Sequence, residues 1–121
     1  MMLVFYSSLD LEVGGFVQVY YNGQWGTVCD DYFGMEEAKV ACRQLGFTKT
    51  LGPWYYGQGT GKVWLTNMGC SGTENSLHSC SSSGWGTGNW CGGTHTEDAG
   101  VVGSVKPVHH SVSYSFSIYI L

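Results

Sequence analysis

The residues with the clearest chemical potential are the adjacent carboxylates Asp30 and Asp31, directly behind Cys29 in Gly23-Gln24-Trp25-Gly26-Thr27-Val28-Cys29-Asp30-Asp31. A strand end, a bridging sulfur and a candidate ion site meet within nine residues. The structural alternative makes Asp30 a turn or capping group and Asp98 a partner for backbone donors, with the other acids as solvated surface. Catalysis has far less to draw on. His78 and His95 could act as general bases, but a loop histidine in a small glycine-rich domain is more often surface filler. His109 and His110 lie in a compositionally distinct tail, and no Gly-x-Ser-x-Gly elbow is present. The run Tyr55-Tyr56-Gly57-Gln58-Gly59-Thr60-Gly61-Lys62 has the glycines of a phosphate loop. Such a loop needs Gly-Lys-Ser/Thr opening a helix, whereas Val63 and a strand pattern follow Lys62. The aromatics Tyr20, Tyr21, Trp54, Tyr55, Tyr56, Trp64, Trp85 and Trp90 could form a carbohydrate platform, but most serve more simply as core and turn anchors.

Five cysteines without a Cys-x-x-Cys pair fit a disulfide framework better than a zinc ribbon. Neither Cys91 with His95 nor His78 with Cys80 has the spacing of half a familiar zinc finger. The odd count leaves at least one thiol free or paired outside the chain. A formal charge of -4 with only five Lys and Arg offers no basic stripe for nucleic acid. No apolar run reaches the roughly twenty residues that a membrane-crossing helix needs. Met1 to Tyr6 is too short for a signal h-region and lacks a basic flank. Disulfide-type cysteines without an export signal lead to the expectation of a segment from a longer secreted or cell-surface protein.

The elements that must position these residues follow from periodicity. With 121 residues, 43% apolar and 12% charged, one small globular domain is expected. Leu9 to Val13 reads as the start of a first strand ahead of Gly14-Gly15. Phe16-Val17-Gln18-Val19-Tyr20-Tyr21 alternates, and Asn22-Gly23 suits a type I′ hairpin, so the returning strand delivers Cys29 to the core and Asp30 and Asp31 to its rim. Met35 to Leu45 reads as a helix with Ala38, Ala41, Cys42 and Leu45 on one face, Gly34 as N-cap and Gly46 as its stop. Glu36 and Glu37 in the first turn and Arg43 in the last complement the helix dipole. Phe47 to Trp54 reads as a connection and Lys62 to Leu65 as a short strand. Cys70 to Cys80 is short enough for one local bridge around a turn or short helical segment. Trp85 and Trp90 anchor a further loop, and Glu97-Asp98-Ala99-Gly100-Val101-Val102 leads into a last strand. The tail from residue 104 to 121 reads either as an extra strand or as non-native, disordered sequence, the second being favoured.

Over residues 11–103 the chain resembles the scavenger receptor cysteine-rich (SRCR) family. The resemblance is carried by Val17 through Asp31, Ala38 with Cys42-Arg43-Gln44-Leu45-Gly46-Phe47, Gly57 through Gly61, and Trp64-Leu65. It continues through Cys70 to Glu74, Leu77-His78-Ser79-Cys80, Gly84-Trp85-Gly86 and Glu97 through Val102. It implies an α+β fold, a small curved antiparallel β-sheet cradling one α-helix, with residues 1–10 as an extension and 104–121 as a tail. Phe47 places the chain in the six-cysteine group, where a further cysteine would mark the eight-cysteine group. That group's pairing implies Cys29 with Cys91 and Cys70 with Cys80. The third bridge would join Cys42 to a cysteine at the position held here by Gly103, leaving Cys42 a buried free thiol.

The same resemblance implies that Glu97, drawn near Asp30 and Asp31 by the Cys29–Cys91 bridge, completes a three-carboxylate site for Ca²⁺ or Mg²⁺, which hard oxygen ligands suit. A second family site follows the Trp-Leu of the third strand, but Thr66 and Asn67 stand there, leaving Asn67 as a weak ligand. The arginine cluster that holds anions in some relatives has no counterpart at Gly15-Phe16-Val17. Gln18, where many relatives have Glu, also weakens a carry-over of their bacterial-surface segment. The expected function is extracellular recognition of polyanionic or microbial ligands, or of a protein partner, by a secreted or cell-surface receptor. The alternative is a non-catalytic accessory domain of a larger secreted enzyme, of protease or lysyl-oxidase type.

Overall fold

The structure, a computed structural model, describes residues 11–54, 59–86, 91, 95–106 and 115–119. Its first strand, β1 (Leu11–Tyr21), starts within the expected Leu9 to Val13 and runs unbroken through Gly14-Gly15 into the alternating run. The reason is close approach rather than turning: a Cβ on Gly14 would stand 2.4 Å from the Trp54 ring, so the indole packs directly over the bare backbone. Further along β1, Val17 and Val19 are fully buried while Gln18 and Tyr20 are partly exposed, the period-2 pattern that fixes one face to the core. Asn22 and Gly23 take φ of 51° and 77°, the left-handed pair the hairpin requires, and β2 (Gln24–Val28) returns antiparallel with Tyr21 opposite Gln24.

Helix α1 (Met35–Leu45) has the predicted bounds. At its start the Gly34 N–H donates to the Glu37 carboxylate at 2.9 Å. At its end Gly46 (φ 82°) donates to Arg43 and Phe47 N–H donates to the Cys42 carbonyl, a Schellman closure. The segment expected to be a connection contains β3 (Lys49–Trp54), followed by β4 (Lys62–Leu65), a 3₁₀ turn at Leu77–Ser79 and β5 (Gly100–Val105). Gly52-Pro53 reads as a breaker, yet β3 lies at the end of the strand order, and an edge tolerates proline. In the tail, Ser115–Tyr119 forms β6.

The strand order is β3-β5-β1-β2-β4, with β6 beside β1. The sheet is mixed, which corrects the antiparallel expectation: β4 runs parallel to β2 and β6 parallel to β1. Side-chain alternation encodes which face is buried but not which way a strand runs. Direction is set by the long connection between β2 and β4, which passes through α1. Among the described residues no helix is long and apolar enough to cross a membrane. The core lies between the sheet and α1, with Val17, Val19, Val28, Ala38, Val40, Ala41, Leu65, Leu77 and Val101 buried.

Beyond the core, polar side chains of α1 hold a stretch with little regular structure. The second Glu37 oxygen accepts Cys70 N–H at 2.8 Å, and Gln44 Oε1 accepts Leu77 N–H at 2.9 Å. The Arg43 guanidinium donates to the carbonyls of Glu74 and Gly72 at 2.6 and 2.8 Å. The Cys70–Cys80 disulfide closes that stretch, and Cys42 is a buried free thiol whose pKa is pushed up by burial.

A Cβ placed on Gly103 would stand 3.2 Å from Cys42 Sγ, but also 2.5 Å from the Lys49 carbonyl oxygen and 2.6 Å from the Phe47 ring. Gly103→Cys is therefore expected to oxidise to a bridge with Cys42 once β3 yields slightly. The chain-entropy model credits a loop of roughly 60 residues with about 4 kcal/mol, part of which the displaced β3 backbone offsets. Thiol counting in denaturant should find no free cysteine and the melting temperature should rise. A lower melting temperature would show that the glycine is needed for the contact with β3.

Candidate functional site: an acidic rim beside a disulfide

The rim is built where β2 ends. Cys29 donates its N–H to the Leu65 carbonyl at 2.9 Å and pairs with Asp98 in an isolated antiparallel bridge. Flanking that bridge, Asp30 N–H donates to the Glu97 carbonyl at 2.7 Å and Ala99 N–H to the Val28 carbonyl at 2.6 Å. The Cys29–Cys91 disulfide, with a Cα–Cα distance of 5.9 Å, ties the same strand end to the loop preceding Glu97. Asp30, Asp31 and Glu97 thus reach one mouth, and one ligand atom from each lies within 4.8 Å of the others and of Cys29 Sγ. The sulfur is committed to its disulfide, so the available donor set is three carboxylates, a hard oxygen set. The bridges also remove Cys91 and Cys80 as zinc ligands.

Electrostatics at the rim follow from crowding. Partial burial, then the charges of Asp31 and Asp98, push the Asp30 carboxyl above its ordinary value of 3.8. Glu97 is pushed above 4.5, first by the Asp31 charge, then by desolvation, the Asp30 charge and a hydrogen bond with Asp31. Among the described residues, no Lys, Arg or His forms an ion pair with any of the three. Glu74 shows the opposite case: N–H groups of Ser71 and Gly72 and the Ser71 hydroxyl hold it down to about 2.

Asn67, the weak ligand of the second expected site, lies in the left-handed region (φ 51°), and its amide donates to Ser83 Oγ at 2.8 Å. Thr66 beside it is buried, with a hydroxyl that has no partner among the described residues.

Two further residues shape the rim from behind. Asp98 is fully buried and accepts the Gly59 N–H, while His95 Nδ1 lies 3.0 and 3.1 Å from its two oxygens. His95 Nε2 lies 2.8 Å from the Gly61 carbonyl. Carboxylate and carbonyl both only accept, so each ring nitrogen of His95 faces an acceptor. With both nitrogens engaged, His95 is a clamp between two loops rather than a base. The sequence offered only a loop histidine three residues before an acid; nothing local says that the acid is buried. His78 is exposed, with Ser76 Oγ 3.4 Å from its Nε2, and no carboxylate orients it among the described residues.

A family model for the scavenger receptor cysteine-rich domain matches residues 9–104. The chain belongs to the SRCR family. It is 51% identical over 105 residues to lysyl oxidase homolog 4 of Bos taurus, covering 84% of this chain and 13% of that protein. The human lysyl oxidase homolog 4 is 53% identical over 92 residues, covering 73% of this chain and 12% of that protein. The chain therefore spans about an eighth of the length of these curated relatives. In structure it resembles the SRCR domain of mouse MARCO, solved in its dimeric form, with TM-score 0.70 and 44% identity over 78% of this chain and 90% of that one.

The signs of the rim shifts give a pH prediction. Because Asp30 and Glu97 bind protons in the folded chain above their ordinary values, their contribution to stability grows as pH falls from neutral towards 4.5 and 3.8. Glu74 acts in the opposite sense, losing its contribution as pH falls from 4.5 through about 2. In a carboxyl ¹³C NMR titration, Glu97 should titrate above 4.5 and move back towards it in Asp31→Asn, while Glu74 stays at about 2 in both. A Glu97 that titrates normally in the parent would mean that the rim carboxylates do not meet.

Proposed function

We propose that this chain is a non-catalytic SRCR module of a lysyl oxidase-type enzyme, working outside the cell, with an acidic rim that holds a divalent cation. The observation carrying the enzyme context is the identity of 51% and 53% to lysyl oxidase homologs across most of the chain. It favours the accessory reading over the receptor reading expected from the family resemblance, because these relatives are named as oxidase homologs. Two disulfides within one small domain suit an oxidising, extracellular setting.

The non-catalytic role is supported by how the histidines are used. His95 has both ring nitrogens committed, and His78 lacks an orienting acid among the described residues. The task left to the rim is binding. Three converging carboxylates, with Asp30 and Glu97 raised in proton affinity and none of the three ion-paired among the described residues, form a site that Ca²⁺, which accepts flexible all-oxygen coordination, would relieve of its mutual repulsion. Mg²⁺ demands tighter octahedral geometry and would keep more of its waters. Such an ion, held on the rim, would offer open coordination positions to anionic groups of an extracellular partner, including polyanionic or microbial surfaces.

Isothermal calorimetry tests the ion. Ca²⁺ titrated into the chain should give saturable heat that disappears in Asp31→Ala and in Glu97→Ala, and the melting temperature of the parent should rise with Ca²⁺ by mass action. Absence of heat in the parent defeats the ion site. The accessory context is tested separately by the transcript sequence on both sides of this segment. A lysyl oxidase catalytic domain in the same reading frame is expected, and a collagenous stretch or a transmembrane segment without one would favour the receptor reading.

A further inference from the structure

Beside the rim, the turn after Asp30 and the first turn of α1 enclose an open groove of about 450 Å³ whose lining does not include Glu97. Asp30, Tyr32, Phe33, Gly34, Met35 and Glu36 line it. Its walls combine two features that rarely coincide on a solvated surface. Tyr32 is 80% exposed and Met35 43% exposed, two of the few large apolar side chains left in water among the described residues. Tyr32 sits at φ 61°, a conformation uncommon for an aromatic residue, so its ring is directed outwards by the backbone rather than by packing.

The charges in the groove are of one sign. Asp30, Glu36 and Glu37 all line it, and no basic residue does. Lys39 touches Glu36 at 3.3 Å with both side chains about half exposed, a surface pair that exchanges easily. The helix N-terminus, which would repel a cation, is already answered by the Glu37 carboxylate on Gly34 N–H.

We propose that this groove docks a lysine- or arginine-bearing segment of a protein partner. The aliphatic stem of the basic side chain lies along Tyr32 and Met35, and its cationic head rests between Asp30 and Glu36 against the face of the Tyr32 ring. Such side chains carry an apolar stem with a charged tip, matching an apolar floor with an acidic edge. A cation over an exposed aromatic face adds attraction that a bare acidic patch lacks. The chain's net charge of -4 favours a basic partner at longer range.

Fluorescein-labelled heptalysine, titrated with the 121-residue chain in EDTA at physiological salt and read by anisotropy, tests this without calcium. Saturable binding is expected, with none to heptaglutamate. Tyr32→Asn, which tolerates the left-handed backbone but removes the ring, should weaken binding about tenfold. Met35→Lys, which places a cation in the groove, should abolish it. Both positions are exposed, so unchanged melting curves are expected alongside. Glu97→Gln removes a carboxylate outside the groove and disrupts the proposed ion site, yet the Tyr32 dependence should persist, which separates the two readings. No binding, or binding that Tyr32→Asn and Met35→Lys leave unaltered, would overturn the proposal and reduce the attraction to general surface charge.

Discussion

The Cys29–Cys91 bond fastens together two pieces of chain whose side chains repel each other. Asp30 and Asp31 follow the end of β2, Glu97 lies six residues beyond Cys91, and the three carboxyls crowd within one mouth at the expense of the acidity of Asp30 and Glu97. Like charges held close would part if only water and a few backbone hydrogen bonds opposed them. A covalent link removes that freedom, and the backbone bonds from Asp30 to Glu97 and from Ala99 to Val28 then set the register. The rim is therefore an arrangement in which electrostatic repulsion is maintained by sulfur chemistry.

The supports behind the rim follow the same logic. Asp98 is buried without exposure, a costly place for a carboxylate, and is answered there by Gly59 N–H and His95. Through these contacts a glycine-rich loop and the turn carrying Glu97 become one unit. On the opposite side, α1 serves as a polar hub as well as a core element. Glu37, Arg43 and Gln44 each reach backbone groups of residues 70–77 that no sheet or helix satisfies. A helix with three such side chains can be short and still organise the stretch between residues 70 and 77.

These features bear on what kind of module this is. A half-buried acidic mouth, an outward-held tyrosine and a His95 engaged at both ring nitrogens are the features on which the proposed binding role rests. Identity to lysyl oxidase homologs is the observation that favours the proposed accessory role over a receptor role. The family fold is common to both contexts, so the fold alone cannot choose between them.

Local rules carried much of the fold. The hairpin was legible because Asn22-Gly23 sits between alternating runs, and the helix because Gly34 and Gly46 bracket an apolar stripe with acids first and arginine last. Local rules missed β3: Phe47 to Trp54 reads as a connection, yet Lys49–Trp54 forms an edge strand, where Pro53 is tolerated. Strand direction was likewise invisible, because alternation is the same in either direction. Of the site, Asp30 and Asp31 stood out by themselves, and Glu97 joined them only through a disulfide pairing implied by family resemblance. His95, buried Asp98 and the groove at Tyr32 needed tertiary structure. Burial, the meeting of loops distant in sequence and the outward angle of one backbone torsion are properties of the folded chain, whereas capping, turn formation and periodicity are already present in a few neighbouring residues.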